Sequence, residues 1–194
     1  MIIGIDIDGV IADSEPLYRQ TINRLFNLNL KQKDITSYKY EESARLTDDQ
    51  MRLFWKTFYH EGGWLKIKPI KGAKKFLDKL KREKHRIVIV TSRPKDHIKK
   101  ETYRWLEEHK IPYSELIFLE NHKSKHQAAL LRGHRFDYFI EDYYEYALDL
   151  AQRGVKLLLM DYPWNRRGKP HPNIKRIKSL KEAEAIISKE RTIK

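Results

Sequence analysis

The sequence predicts an α/β protein: a parallel sheet of about five strands, helices on both faces, and a small helical cap inserted after the first strand. Three observations predict it. Five short apolar runs recur along the chain, most without polar alternation and rich in β-branched or large apolar side chains, as in strands covered on both faces. Segments with helical spacing separate them, and strands alternating with helices fold as a Rossmann-like parallel sheet with right-handed crossovers. Residues 14–68 break this rhythm, being too long for one crossover helix and holding no convincing strand.

The five runs are residues 1–7, 86–90, 116–119, 138–140 and 155–160. Between them Ala73, Phe76, Leu77 and Leu80 form one helical stripe, and Ile98, Thr102, Trp105 and Leu106 form another. Ala147, Leu148 and Ala151 form a third, stopped by Gly154 in the C-cap place. Ser179 and Glu182 make a capping box for a last helix over residues 180–189. Inside the insertion Leu53, Phe54, Thr57 and Phe58 repeat at helical spacing, and Trp64 follows the Gly62–Gly63 pair. Ser14, Glu15 and Pro16 read as a helix start with proline in the first turn. The domain division expected is therefore a core of residues 1–13 and 69–194, with a helical cap over 14–68.

Bulk properties narrow the class. A length of 194 residues suits one core domain with a modest insertion. The absence of cysteine excludes disulfides, thiolate zinc sites and cysteine nucleophiles. No apolar run reaches the roughly 20 residues that span a bilayer, and the first ten residues already carry Asp6 and Asp8, unlike a signal-peptide core. A soluble cytoplasmic protein is the expectation. The net charge of +13 attracts phosphorylated molecules and is compatible with nucleic acid. Because much of the excess is lysine set beside glutamate on helix faces, a solvated surface is favoured over a nucleic-acid partner.

The most informative string is Ile5–Asp6–Ile7–Asp8–Gly9–Val10. Ligands of open parallel sheets bind beyond the carboxyl ends of the strands, and two carboxylates leave a buried strand at that point. Unpaired, they would be expensive to bury. A hard divalent cation removes the difficulty, since Mg²⁺ takes one or two carboxylates together with phosphate oxygens and waters. Gly9 then allows a sharp turn and close approach of a ligand.

Residues Asp6 to Ser14, reading DIDGVIADS, resemble the first signature of the haloacid-dehalogenase-like phosphatase superfamily. The resemblance implies a role for each acid. Asp6 attacks phosphorus to give an aspartyl-phosphate, and Asp8 protonates the leaving oxygen and then activates water. It also implies that the Asp8 main-chain carbonyl joins Asp6 on Mg²⁺, with Mn²⁺ sharing the same oxygen ligands. The second signature, a Ser or Thr ending the next core strand, falls on Thr91, with Ser92 and Arg93 following as candidate phosphate contacts. Thr91 and Ser92 equally suit helix capping, and Arg93 equally suits a solvent-facing position. The third, a lysine near a helix start, falls on Lys125 or Lys123. Lys125 is preferred because Ser124 is a natural N-cap. His122 and His126 stand four apart but lack the further ligands of a zinc site, and read as surface histidines. The fourth signature is the acidic pair Glu141–Asp142, with Asp142 the expected metal ligand. For Glu141, metal contact, a water contact and a pairing with Lys125 all remain open.

Among branches of the superfamily, the chain most resembles the 5′-nucleotidase and 5′(3′)-deoxyribonucleotidase enzymes. The resemblance rests on the helical cap, the Thr91–Ser92–Arg93–Pro94 turn and the late loop with Trp164, Asn165 and Arg166. It implies a small phosphorylated substrate, a nucleoside monophosphate, with cap aromatics stacked on its base. Phe54, Phe58, Tyr59 and Trp64 are the available rings, although helical spacing also suits a cap core. An end-processing phosphatase on DNA or RNA is the alternative that the positive charge raises. An inactive binding module would lack one of the four signatures, and none is missing. Oligomeric state leaves no mark on the sequence.

Overall fold

The computed structural model describes residues 1–119, 124–130 and 132–191. The chain runs β1 (Ile2–Ile5), β2 (Ala12–Asp13), α1 (Ser14–Phe26), α2 (Tyr40–Ala44), α3 (Asp48–His60), α4 (Gly63–Lys66) and β3 (Lys68–Pro69). It continues through α5 (Ala73–Arg82), β4 (Arg86–Thr91), α6 (Lys95–Glu108), β5 (Glu115–Phe118), α7 (Lys125–Leu130) and β6 (Tyr138–Glu141). It ends with α8 (Tyr144–Gln152), β7 (Lys156–Met160), β8 (Ile174–Ile177) and α9 (Leu180–Arg191). The main sheet is parallel throughout, in the order β5-β4-β1-β6-β7-β8.

The lack of polar alternation in the apolar runs has its cause in two-sided burial. Ile87 and Ile89 of β4 pack into one cluster with α5, α6 and α9, while Val88 and Val90 pack into a second with α7 and α8. β1 lies at the centre of the sheet, with β4 on one side and β6 on the other. The chain runs outward from β1 through β4 to β5 and then crosses back to β6 on the other side of β1. The strand order reverses there, so a crevice opens beyond the carboxyl end of β1. Three of the four signatures of the sequence stand at or just beyond the ends of β1, β4 and β6, and the fourth, Lys125, opens α7 after β5.

Two sequence expectations need correction. The sheet has six strands rather than about five, because β8 adds an edge against β7. Its sequence, Ile-Lys-Arg-Ile, exposes Lys175 and Arg176 and offers only two apolar residues as a signal, as charged edge strands do. The interrupting segment is also not strand-free at its margins, since β2 pairs antiparallel with β3, Ala12 opposite Pro69 and Asp13 opposite Lys68. This ladder is the stem from which α1 to α4 branch. It is held further by the N–H of Ile70 donating to the Ile11 carbonyl at 2.9 Å and the Trp105 indole donating to the Ile67 carbonyl at 2.7 Å.

Tight packing at the centre leaves β1 no room for a side chain at residue 4. A Cβ on Gly4 would collide with the Phe139 ring of β6. Gly4→Ala is expected to destabilise the fold by about 1–3 kcal/mol through overpacking, read from the urea unfolding midpoint. An unchanged midpoint would contradict this packing.

Candidate active site

After β1 the chain folds back on itself in a single turn. The Ile7 carbonyl accepts from the N–H groups of Val10, Ile11 and Ala12, at 3.2, 2.9 and 2.8 Å. Gly9 sits in this turn at φ +75°, and a Cβ there would collide with the Asp142 carboxylate. Glycine is thus required twice at one position, for its backbone conformation and for its missing side chain.

The turn brings Asp6 beside the end of β6. Lys125, the first residue of α7, is buried with only 1% of its surface exposed. Its Nζ donates to Asp6 Oδ1 at 2.6 Å and to Glu141 Oε2 at 2.8 Å. Ser124 ahead of it accepts from the Gln127 N–H at 3.1 Å, as the N-cap reading expects. Lys123 and His122 lie outside the described residues. Of the alternatives open for Glu141, the geometry gives the lysine pairing. Its second oxygen is occupied as well, accepting from the N–H groups of Asp142 and Tyr143.

Burial disfavours every charge here, and the neighbours decide how each group responds. Desolvation pushes the Asp6 carboxyl up to about 7, against the pull of Lys125 and with a further push from Glu141. Burial, then the negative charges of Glu141 and Asp6, hold the Asp142 carboxyl well above the ordinary carboxylate range. Desolvation works against the Lys125 ammonium, but Asp6 and Glu141 outweigh it and raise its pKa above the ordinary lysine value.

Arg93 corrects the solvent-facing alternative. It is buried, and its guanidinium grips Asp8 in a bidentate pair, Nε to Oδ2 at 2.7 Å and Nη2 to Oδ1 at 2.9 Å. The same guanidinium lies 4.9 Å from the Trp64 ring centroid and 5.8 Å from that of Trp105. Thr91 ends β4 fully buried, its Oγ1 accepting from the Arg93 N–H at 3.2 Å. Ser92 is exposed and lines the cavity described below. It lies outside the helix start expected for it, since α6 begins at Lys95.

Asp6, Glu141 and Asp142 place carboxylate oxygens within 4.8 Å of one another. With Asp8, four carboxylates meet two cations, Lys125 and Arg93, so full ionisation leaves two negative charges. Asp142 Oδ1 is buried and has no hydrogen-bond partner among the described residues. An all-oxygen donor set, an unpaired oxygen and a double negative excess fit a hard divalent cation.

The loop after β7 fixes Asp142 from the other side. Trp164 Nε1 donates to Asp142 Oδ2 at 3.1 Å, and the Asn165 amide donates to the carbonyls of Asp142 and Met160, both at 2.7 Å. Arg166 instead turns to Asp161.

A cavity of about 220 Å³ opens beside Asp8, Gly9, Arg93 and Asp142. Of the four rings named from sequence, Trp64 lines it. Phe54 and Phe58 are buried in the core of the helical segment, and Tyr59 is exposed. Sequence reasoning missed Glu15, Tyr18, Tyr38, Tyr40 and Trp55, which also line the cavity. For Glu15 a signal existed in its four-residue spacing to Arg19, the partner it takes.

Residues 1–193 match the family model described as 5′ nucleotidase, deoxy (Pyrimidine), cytosolic type C protein. The chain belongs to this family. It is a phosphatase of the nucleotidase branch of the haloacid-dehalogenase-like superfamily. A nucleotidase of Clostridium acetobutylicum is 32% identical over 187 residues, covering 95% of this chain and 92% of the relative. A Chlorobaculum tepidum protein, provisionally named a 5′(3′)-deoxyribonucleotidase, is 30% identical over 183 residues, 86% of this chain and 81% of the relative. A haloacid-dehalogenase-like hydrolase from Streptococcus pneumoniae shares the fold, with a TM-score of 0.70 at 16% identity, covering 96% of this chain and 97% of that one. Among the described residues of this nucleotidase-family phosphatase, no helix is long and apolar enough to cross a membrane.

A cation that binds the folded state alone stabilises it, by about 2.7 kcal/mol at a hundred times its Kd. Added Mg²⁺ is therefore expected to raise the Tm, and Asp142→Asn to remove most of that rise. An equal rise in wild type and variant would place the ion elsewhere.

Proposed function

We propose that the protein is a Mg²⁺-dependent nucleoside monophosphatase working through an aspartyl-phosphate on Asp6. The observation that carries the reading is the buried Lys125–Asp6 pair at 2.6 Å, beside Asp8 held by Arg93 at the mouth of the cavity. A nucleophilic carboxylate, a second carboxyl for proton transfer and an ammonium for charge are the parts that covalent phosphoryl transfer requires.

In this mechanism an Asp6 carboxylate oxygen attacks phosphorus, and the bond from phosphorus to the ester oxygen breaks. With one oxygen released from Arg93 and protonated, Asp8 gives the ester oxygen that proton, and the alcohol leaves. Asp8, now a carboxylate, takes a proton from water as the water attacks the phosphorus of the acyl phosphate. Inorganic phosphate departs, and the Asp6 carboxylate is restored. Lys125 offsets the charge on Asp6 throughout, and Thr91 supplies a hydroxyl at the end of β4. Asp6 and Asp142 would hold Mg²⁺, with the Asp8 main-chain carbonyl as third ligand. When bound, the ion supplies charge neutralisation between carboxylate and phosphoryl oxygens.

Residues 14–68 act in this reading as the cap that covers the leaving group and excludes water. Trp64 and Trp55, nearly parallel with centroids 5.8 Å apart, supply aromatic surface for a base on the cavity wall. The names of the Clostridium and Chlorobaculum relatives favour the same substrate class. A cavity of about 220 Å³ suits a small ester better than a polymer end.

Asp6→Asn is expected to lower kcat by roughly 10⁴-fold or more while leaving the circular dichroism spectrum unchanged. The assay is phosphate release from ribo- and deoxynucleoside monophosphates, sugar phosphates and 3′-phosphorylated oligonucleotides, with Mg²⁺ and with chelator. Release from mononucleotides that survives either the chelator or the substitution would overturn the mechanism. Release confined to oligonucleotides would overturn the substrate class.

A further inference from the structure

Glu15 occupies the first turn of α1 and is only 5% exposed. One of its oxygens is accounted for, since Oε1 accepts from Arg19 Nε at 2.6 Å. The other, Oε2, is buried without a hydrogen-bond partner among the described residues. Leaving such an atom unpaired costs about 1–3 kcal/mol. Glu15 lines the cavity, whose lining also includes the rings of Tyr18, Tyr40, Trp55 and Trp64. It stands apart from the acids at the strand ends, and none of the phosphoryl-transfer steps uses it. Its carboxylate pairs with Arg19 and stands at the positive, N-terminal end of α1. An ionised carboxylate only accepts hydrogen bonds. Its natural complement is therefore a neutral O–H or N–H group, and it repels a second anion.

We propose that Glu15 is a specificity-determining residue whose Oε2 accepts a hydrogen bond from an O–H or N–H donor on the organic part of the substrate. Nucleosides carry such donors on both sugar and base, so the inference rests on the nucleotidase reading and deepens it. A site built to bond a donor rejects the analogue that lacks one, because its own acceptor is then left unpaired. A fixed negative charge in the leaving-group pocket likewise rejects esters with a second acidic group there.

The test compares kcat/KM for the best nucleoside monophosphate with kcat/KM for p-nitrophenyl phosphate, whose organic part carries no O–H or N–H donor. Glu15→Leu is expected to lower the ratio of the two by about 10- to 100-fold, the effect of losing a hydrogen bond to a charged acceptor. Glu15→Gln keeps the shape and a weaker acceptor and should lower it less. An unchanged ratio in both variants, whether or not activity falls, would overturn the proposal and make Glu15 a structural residue. If Glu15→Leu fails to fold by circular dichroism, the ratio in Glu15→Gln decides alone. A wild-type enzyme that cleaves p-nitrophenyl phosphate but no nucleoside monophosphate would instead overturn the nucleotidase reading. In that event the same ratio, taken on whichever donor-bearing ester is cleaved, decides the role of Glu15.

Discussion

The surplus of negative charge buried beyond β1 and β6 governs the rest of the molecule. Asp6, Glu141 and Asp142 are almost wholly withdrawn from water, and each such ion carries a penalty of several kcal/mol unless partners repay it. The fold supplies those partners from separate places in the sequence. Lys125 reaches in from the start of α7, Arg93 from the turn after β4, and Trp164 and Asn165 from the loop after β7. Gly9 is left without a side chain so that Asp142 can approach. Even so, Asp142 Oδ1 stays unpaired. In the proposed mechanism a cation and a phosphate ester would complete what the protein leaves unpaired.

Arg93 joins the two halves of the cavity. Its guanidinium edge holds Asp8 on the sheet side, while its face lies against Trp64 of the helical segment and Trp105 of α6. An arginine fork matches a carboxylate and an arginine plane matches a ring, so lysine would not replace it. Beside Arg93 the cavity is lined by the carboxylates of Asp8 and Asp142. Its lining also carries the aromatic rings of Tyr18, Tyr38, Tyr40, Trp55 and Trp64, together with the Glu15 carboxylate. In the proposed function that combination meets a nucleotide, anionic at one end, flat and rich in donors at the other.

Much of this was legible in the sequence because it is local. Buried strands announce themselves by unbroken apolar runs, and Asp6, Asp8, Thr91 and the Glu141–Asp142 pair stand at or just beyond strand ends, where the code is short. The preference for Lys125 rested on Ser124 as an N-cap, a neighbour in sequence. Less legible were features set by distant contacts. That Arg93 would bury itself against Asp8 depends on residues 85 positions apart. Which rings face the cavity depends on how α1 and α3 pack, so Phe54 and Phe58 went to the core while Tyr18 and Trp55 line the cavity. β8 escaped notice because an edge strand needs charge more than it needs apolar length.

The central claim is that Asp6 forms a covalent bond to phosphorus. Enzyme turning over a nucleoside monophosphate with Mg²⁺ can be quenched, treated with borohydride, digested and sequenced by mass spectrometry. Reduction of an aspartyl-phosphate converts that aspartate to homoserine, and the account places this mark at position 6, absent when substrate or Mg²⁺ is withheld. A mark on another carboxylate, or none in enzyme trapped during steady turnover, would contradict it.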